Sequence, residues 1–414
     1  MKLFKFNLVL IAVFAMSLAN CTHDDAPNIG VDPGVGSSTE QLLVKKFTTA
    51  PTFDGEIDEI WSTARPLLSA ATVTPAGDRT VPLNRSSLGN LSLEPKDLFD
   101  PYTGESYKYS LRGGHDGTYL YLLLEYEDEA DSRDRESFYF DPATKTWNRE
   151  NKYANHKNDK FYEDKFGMMF PIKVNGQYPA GFAAGTCTVT CHGSLTGTAA
   201  GTKSTRHYMK NAGELADLWH WKRNRNVLSQ SVDDGYVRDS EGKDGLSTAN
   251  GRKADAGLSM YNDSPVFTDP VTKKEGPKWV KKGVENYFWI TDAELASGAA
   301  QTVTGVSDTG VLTLSNGSTI DPNTDLVAYS KGFGKKRFPT ITVNAGGADG
   351  RSETQVRAKH TGSGWQIEIK RKLNTGDPTD AVFVVGEEIA FGLSIFNNSA
   401  IAHGMSNFKT MKIE

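Results

Sequence analysis

The strongest chemical signal in this chain is three residues in one hexapeptide, Cys187-Thr-Val-Thr-Cys191-His192. Two thiols beside an imidazole suit three chemistries. The form Cys-x3-Cys-His is one residue longer than the Cys-x-x-Cys-His that attaches c-type haem. In that chemistry the thiols add to the two vinyl groups, and the imidazole reaches the iron as an axial ligand. The same thiols could close a disulfide. With the imidazole they could also supply three ligands of a zinc site, with a fourth from elsewhere.

The remaining cysteine narrows these options. Residues 1–20 read as an export signal, with Lys2 and Lys5 ahead of an apolar run from Leu8 to Leu18 that is too short for a stable span. The run ends in Leu18-Ala19-Asn20-Cys21, which looks like a bacterial lipobox. That likeness implies cleavage before Cys21 and lipid attachment there. The alternative is an ordinary secretory signal followed by a chance cysteine. Residues 21–41 are rich in Gly, Pro, Ser and Asp and read as a flexible tether between membrane and domain. The chain has 3 Cys, so once Cys21 carries lipid only Cys187 and Cys191 remain. A single five-residue disulfide loop removes little unfolded-state entropy, which favours the haem chemistry. The expected location is an exported lipoprotein on the inner or outer membrane, facing the periplasm or the cell surface.

At 414 residues the chain is long enough for a large core, in a domain expected over 42–414. Its net charge of -5 becomes more negative once Lys2 and Lys5 leave with the signal, and no long basic run is present. That balance argues against nucleic acid as a partner. No Gly-x-Ser-x-Gly elbow, His-Glu-x-x-His, phosphate loop or dinucleotide fingerprint is present, so nothing points to a catalytic residue.

The elements that must position the motif are strands. Leu43–Phe47, Tyr107–Leu111, Tyr119–Tyr126 and Phe166–Val174 read as strands. Gly364–Lys372 alternates strictly, and Glu388–Phe396 is a largely apolar run suited to a buried strand. The fold expected is mainly β, an antiparallel β-sandwich of the immunoglobulin or jelly-roll kind with long loop insertions. The polar stretch 223–275 reads as one long loop, and 280–335 as an inserted hairpin.

Several segments in order resemble one family. Phe53-Asp-Gly-Glu-Ile-Asp-Glu-Ile-Trp61 looks like the opening of sandwich domains related to family 9 carbohydrate-binding modules, and Gly114-His-Asp-Gly117 followed by YLYLLLEYED fits their next strands. Asp217-Leu-Trp-His-Trp-Lys222 is similar to a segment of the haem-binding domain related to the gamma subunit of ethylbenzene dehydrogenase. Glu368–Leu373 and the closing FGLSIFNNSAIAHGMS are similar to that family too. The resemblance spans roughly residues 43–412. It implies a sandwich holding one haem, ligated in the gamma subunits by a Met upstream of the Trp motif and a Lys near the C-terminus. Here Cys187, Cys191 and His192 stand where the first ligand is expected, as in a c-type branch of the family. His403-Gly404-Met405, with no matching Lys, stands near the second position.

The resemblance therefore implies haem c, one per chain, on Cys187 and Cys191 with His192 proximal. His403 leads for the second ligand, with His220, His207, Met405 and Met209 as alternatives. His220 lies between Trp219 and Trp221, and on a strand it points away from both indoles. It would ligate iron, bond a haem propionate or pair within a polar layer. Trp219 and Trp221 would pack on the porphyrin or be ordinary core or surface aromatics. Lys222 and Arg223 would meet propionates or form a solvated edge. The acidic runs at Glu125–Glu129 and Glu163-Asp164 read first as a solvated face, with calcium as a weaker expectation. Two axial ligands favour electron transfer over substrate chemistry, with periplasmic or membrane redox proteins as partners and enzyme activity not implied. The competing functions are the haem subunit of a larger exported oxidoreductase and a haem-free carbohydrate-binding lipoprotein.

Overall fold

The computed structural model describes residues 36–73, 80–82, 90–92, 104–150, 161–179, 182, 209, 213–238, 251–263, 266–331, 335–400, 402–406 and 409–414. The signal, the lipobox at Cys21, the motif Cys187/Cys191/His192 and His207 lie outside these residues.

Thirteen strands form one long, folded sheet. In chain order they are β1 (Gln41–Lys46), β2 (Leu67–Thr72), β3 (Ser106–His115), β4 (Tyr119–Glu127), β5 (Lys165–Ile172), β6 (Leu215–Lys222) and β7 (Asp233–Arg238). They continue as β8 (Arg252–Ala254), β9 (Gln355–His360), β10 (Gly364–Lys372), β11 (Glu388–Phe396), β12 (Gly404–Met405) and β13 (Lys409–Ile413). The spatial order is β8-β7-β6-β5-β11-β12-β2-β3-β4-β10-β9. β1 joins β3 and β13, and β13 also joins β11. All neighbours are antiparallel except β1, which runs parallel to both β3 and β13.

The two ends of this sheet fold face to face as a mainly antiparallel β-sandwich. The alternation of apolar residues decides what lies between them. Phe166, Met168 and Phe170 of β5, Trp219 and Trp221 of β6, and Phe391, Leu393 and Ile395 of β11 point inward. There they meet Leu122, Leu124 and Tyr126 of β4 and Trp365, Ile367 and Ile369 of β10 in one core. The Trp221 and Trp365 rings cross that core edge to face, 5.1 Å apart. β4 is buried on both faces because Phe47, Trp61 and Ala64 cover Tyr121 and Leu123 on its outer side.

Two expectations change. Part of the stretch 223–275 is strand, as β7 and β8, because Asp233 and Asp234 find charged or hydrogen-bonding partners on opposite faces. The insertion is more than a hairpin. Residues 266–320 hold a two-stranded and a four-stranded sheet. They also hold a short helix, α1 (Asp292–Ser297), capped by a Thr291/Glu294 box. This unit packs with Phe138, Phe140 and Trp147 around a second core built on Val303, Val306, Leu312 and Leu314. No helix among the described residues is long and apolar enough to cross a membrane.

Candidate functional site

The outer face of β5, β6, β7 and β11 gathers most of the described chemistry. Its rows follow from register. His220 of β6 stands opposite Gly167 of β5 and Asp233 of β7. Gly167 stands opposite Ser394 of β11, and Ser394 opposite Met405 of β12. One residue pair along, Gly392, Met169, Leu218, Gly235 and Ala254 share the next row. Small residues keep this floor low. A Cβ at Gly167 would come within 2.8 Å of Ser394 Oγ, and one at Gly235 would strike the Lys253 carbonyl.

At one end of the floor, Phe396 carries His403 stacked at 4.4 Å between ring centroids, and His220 lies 5.8 Å from the same ring. The Lys165 ammonium sits 4.1 Å from that ring centre and donates to the Ala400 carbonyl at 3.0 Å. Burial, and then Arg225, push the Lys165 amine well below the ordinary lysine range. At the other end, Phe182 and Met209 close over Met169, Ala216 and Val237 in a small apolar cluster.

Beside His220 opens a cavity of about 340 Å³ lined by Lys222, Arg225, Arg252, Arg351, Asp233 and Tyr261 among others. Asp233 pairs with both Lys222 and Arg351. Burial alone would raise its carboxyl, but those two cations outweigh it and hold Asp233 well below the usual carboxylate range. Arg225 meets Glu163 at 2.6 Å. Lys222, Arg225 and Arg351 thus pair with two carboxylates, Asp233 and Glu163. Lys222 lowers the Tyr261 phenol. His220 Nδ1 lies 2.8 Å from the Arg252 guanidinium. Arginine only donates, so Nδ1 accepts and the neutral ring carries its proton on Nε2. Burial, and then Lys222, keep the ring neutral. Its Nε2–H is buried and has no acceptor.

The inner face of the same strands has the opposite charge. Carboxylate oxygens of Asp217, Asp234 and Asp380 all lie within 4.8 Å of one another. Arg371 reaches Asp217 at 3.3 Å and Asp380 at 3.0 Å. Burial lifts Asp217 to about 7 against Arg371, with Asp380 adding to the rise. Asp255 also rises to about 7, from burial and Asp380. Glu353 rises to about 8, from burial and its hydrogen bond to Asp380. Sequence reading missed this cluster because Asp255, Glu353 and Asp380 arrive from separate loops.

A family model described as ethylbenzene dehydrogenase matches residues 58–407. The chain belongs to that family. Among solved structures it is similar to a family 9 carbohydrate-binding module from Caldicellulosiruptor kristjanssonii in complex with glucose. That pair is 9% identical with TM-score 0.27, covering 91% of this chain and 96% of that one. The same module with cellotriose gives 9% identity and TM-score 0.27, over 91% and 94%. A candidate carbohydrate-binding protein from Bacteroides uniformis is 7% identical with TM-score 0.32, over 91% and 100%. No curated protein matches the chain.

In this ethylbenzene dehydrogenase family member, His220, His403 and Met405 come to one sheet face, and Met209 lies over the same face inside the apolar cluster. Trp219 and Trp221 are on the other face. Trp219 is 0% exposed and packs on Phe170 at 4.7 Å. Trp221 is 4% exposed and packs on Phe166 at 5.8 Å. Both are therefore core residues, the second of the two readings their pattern allowed. Lys222 belongs to the cavity, whereas Arg223 pairs with Asp131 at 2.6 Å. The acidic runs are not a solvated face, because Glu125, Glu163 and Asp164 are buried: Glu125 pairs with Arg112 at 3.1 Å, Glu163 with Arg225, and Asp164 accepts from the Ser132 and Asn398 amides. His115 and His360 meet the carbonyls of Glu414 and Asp128.

Proposed function

We propose that the chain is a membrane-anchored electron-transfer protein carrying one covalent haem, exported as a lipoprotein through Cys21. Cys187 and Cys191 form the thioethers and His192 is the proximal ligand. Haem when bound supplies a one-electron iron couple whose potential depends on axial ligands, burial and nearby hydrogen bonds. One observation carries this reading. Phe182 and Met209, which bracket the Cys187–His192 motif in sequence, both pack on the sheet face that bears His220 and is bordered by His403 and Met405.

The residues present fit a large flat group. The floor is low at Gly167, Gly235 and Gly392, apolar side chains border one end, and a buried donor and several cations stand at the side. His220 already accepts from Arg252 on Nδ1, so its Nε2 has a proton to donate and no lone pair to give iron. This favours His403 as the second ligand, with Met405 next and His207 and Met209 behind, and gives His220 an orienting role. Redox proteins of the periplasm or membrane are the expected partners, and a larger exported oxidoreductase is one setting for such a module.

Denaturing electrophoresis followed by haem staining tests the proposal, using chain made in a host that attaches c-type haem. A stained band is expected for the wild type and none for Cys187→Ala/Cys191→Ala. A colourless, folded wild type would contradict it. Carbohydrate binding would then be the reading to test next, by titration with cello-oligosaccharides.

A further inference from the structure

We propose that the carboxyl cluster on the inner face is a calcium site, with Asp217, Asp234 and Asp380 as its ligands and Asp255 and Glu353 beside them. The three ligand side chains converge, with one oxygen of each within 4.8 Å of the other two. That spread fits one calcium coordination sphere, where Ca–O distances of about 2.3–2.6 Å put opposite oxygens about 4.6–5.2 Å apart. A second observation is independent of that spacing. On Asp217 and Asp380 every described contact falls on Oδ2. Arg371 reaches both, the Ala381 amide donates to Asp217 at 2.9 Å, and the Thr375 hydroxyl donates to Asp380. The Oδ1 atom of each is buried without a donor, in residues that are 0% and 2% exposed. The guanidinium thus serves one oxygen of each carboxylate and leaves the other to a second cation. The Thr354 hydroxyl, at 2.7 Å, and the Gly235 amide, at 3.0 Å, orient Asp234, whose oxygens each keep a further lone pair.

Charge points the same way. Asp217, Asp234, Asp255 and Glu353 all feel Arg371, and Asp380 pairs with it, so five carboxyls share this guanidinium. Buried charge has to be paired, protonated or bound to a metal. In calcium-free buffer the cluster meets the imbalance with protons, and a divalent ion takes their place and releases them to solvent. An all-oxygen donor set selects a hard cation. Magnesium holds on to several waters and demands a near-ideal octahedron, which suits a buried set of carboxylates less well than calcium does. Glu353 is the partly exposed member and marks where the cluster meets solvent. The site lies on the opposite sheet face from His220 and does not rest on the function proposed above.

The test is calorimetric titration of CaCl2 into the full chain, freed of metal with EDTA and then dialysed. The wild type takes up calcium, with an affinity that rises about tenfold or more from pH 6 to pH 8 as the competing protons leave. MgCl2 binds about tenfold more weakly or worse. Asp217→Asn and Asp380→Asn keep the size of the side chain and remove one charged ligand, and each weakens calcium about tenfold or more. Thermal unfolding checks that the variants are folded. Should they not fold, the wild type alone still decides, because calcium then has to raise its unfolding midpoint and EDTA has to reverse the rise. No calcium uptake by the wild type at millimolar concentration overturns the proposal. Calcium binding that folded Asp217→Asn and Asp380→Asn retain in full belongs elsewhere on the chain and overturns it too.

Discussion

Asp233 and Asp234 are neighbours in sequence and opposites in chemistry. Strand alternation sends Asp233 to the outer face, where Lys222 and Arg351 keep it ionised. It sends Asp234 inward, where burial and Asp217 push its carboxyl well above the ordinary range. One strand therefore separates a cation-rich, solvent-reaching cavity from a buried cluster of carboxyls around the guanidinium of Arg371. The outer carboxylate meets its cations at the wall of a cavity. The inner ones crowd round one arginine, which reaches Asp217 and Asp380. The comparison teaches that residue type alone does not mark a binding site. What sets the state of each carboxyl is the charge and burial that its face of the strand puts beside it.

The largest test of this contrast is Arg371→Met. Removing this guanidinium from the buried cluster leaves its carboxyls uncompensated, at an expected cost on the order of 3–5 kcal/mol in chemical denaturation. A loss under about 1 kcal/mol would show that the cluster is already neutral without Arg371. The matching outer change, Arg351→Met, should cost only about 1–2 kcal/mol, because Lys222 still faces Asp233. If the outer variant proved the costlier one, the assignment of the two faces would be reversed.

The two faces should also differ in pH dependence. Asp217 and Asp255 at about 7 and Glu353 at about 8 hold their protons more tightly folded than unfolded. Their stabilising contribution is fully present below the ordinary carboxylate range and is lost as pH rises through 7 to 8. Asp233 is shifted the other way. Its contribution is present above the ordinary aspartate range and is lost only in strong acid, as pH falls through its depressed value. Denaturation midpoints measured from pH 4 to 9 should decline toward the alkaline end in the wild type, with a shallower decline in Asp217→Asn. An unchanged slope in that variant would remove Asp217 from the cluster's titration.

Much of the sandwich was legible because its strands alternate cleanly. Gly364–Lys372 and Glu388–Phe396 keep the bounds read from the sequence, and His220 points away from Trp219 and Trp221 as the period of two requires. The inserted core was not legible. Its strands are two to six residues long, too short for a period to show, and part of its packing comes from Phe138, Phe140 and Trp147 far upstream. β7 and β8 were hidden because charged residues fill them, and only the fold supplies their partners. The cavity was half legible. His220 and Lys222 stood out beside the indoles, but Arg252 and Arg351 reach it from distant chain. The Cys187–His192 chemistry and the lipid on Cys21 remain inferences from residue type and order.

The central claim is that this face of the sandwich serves a covalently held haem. A pyridine haemochrome spectrum of the full chain, purified from a host that attaches c-type haem, tests it most directly. The account predicts a c-type spectrum that persists after acid–acetone extraction and disappears in Cys187→Ala/Cys191→Ala. A folded wild type that yields no haemochrome, or that gives up all of its haem to extraction, would contradict it.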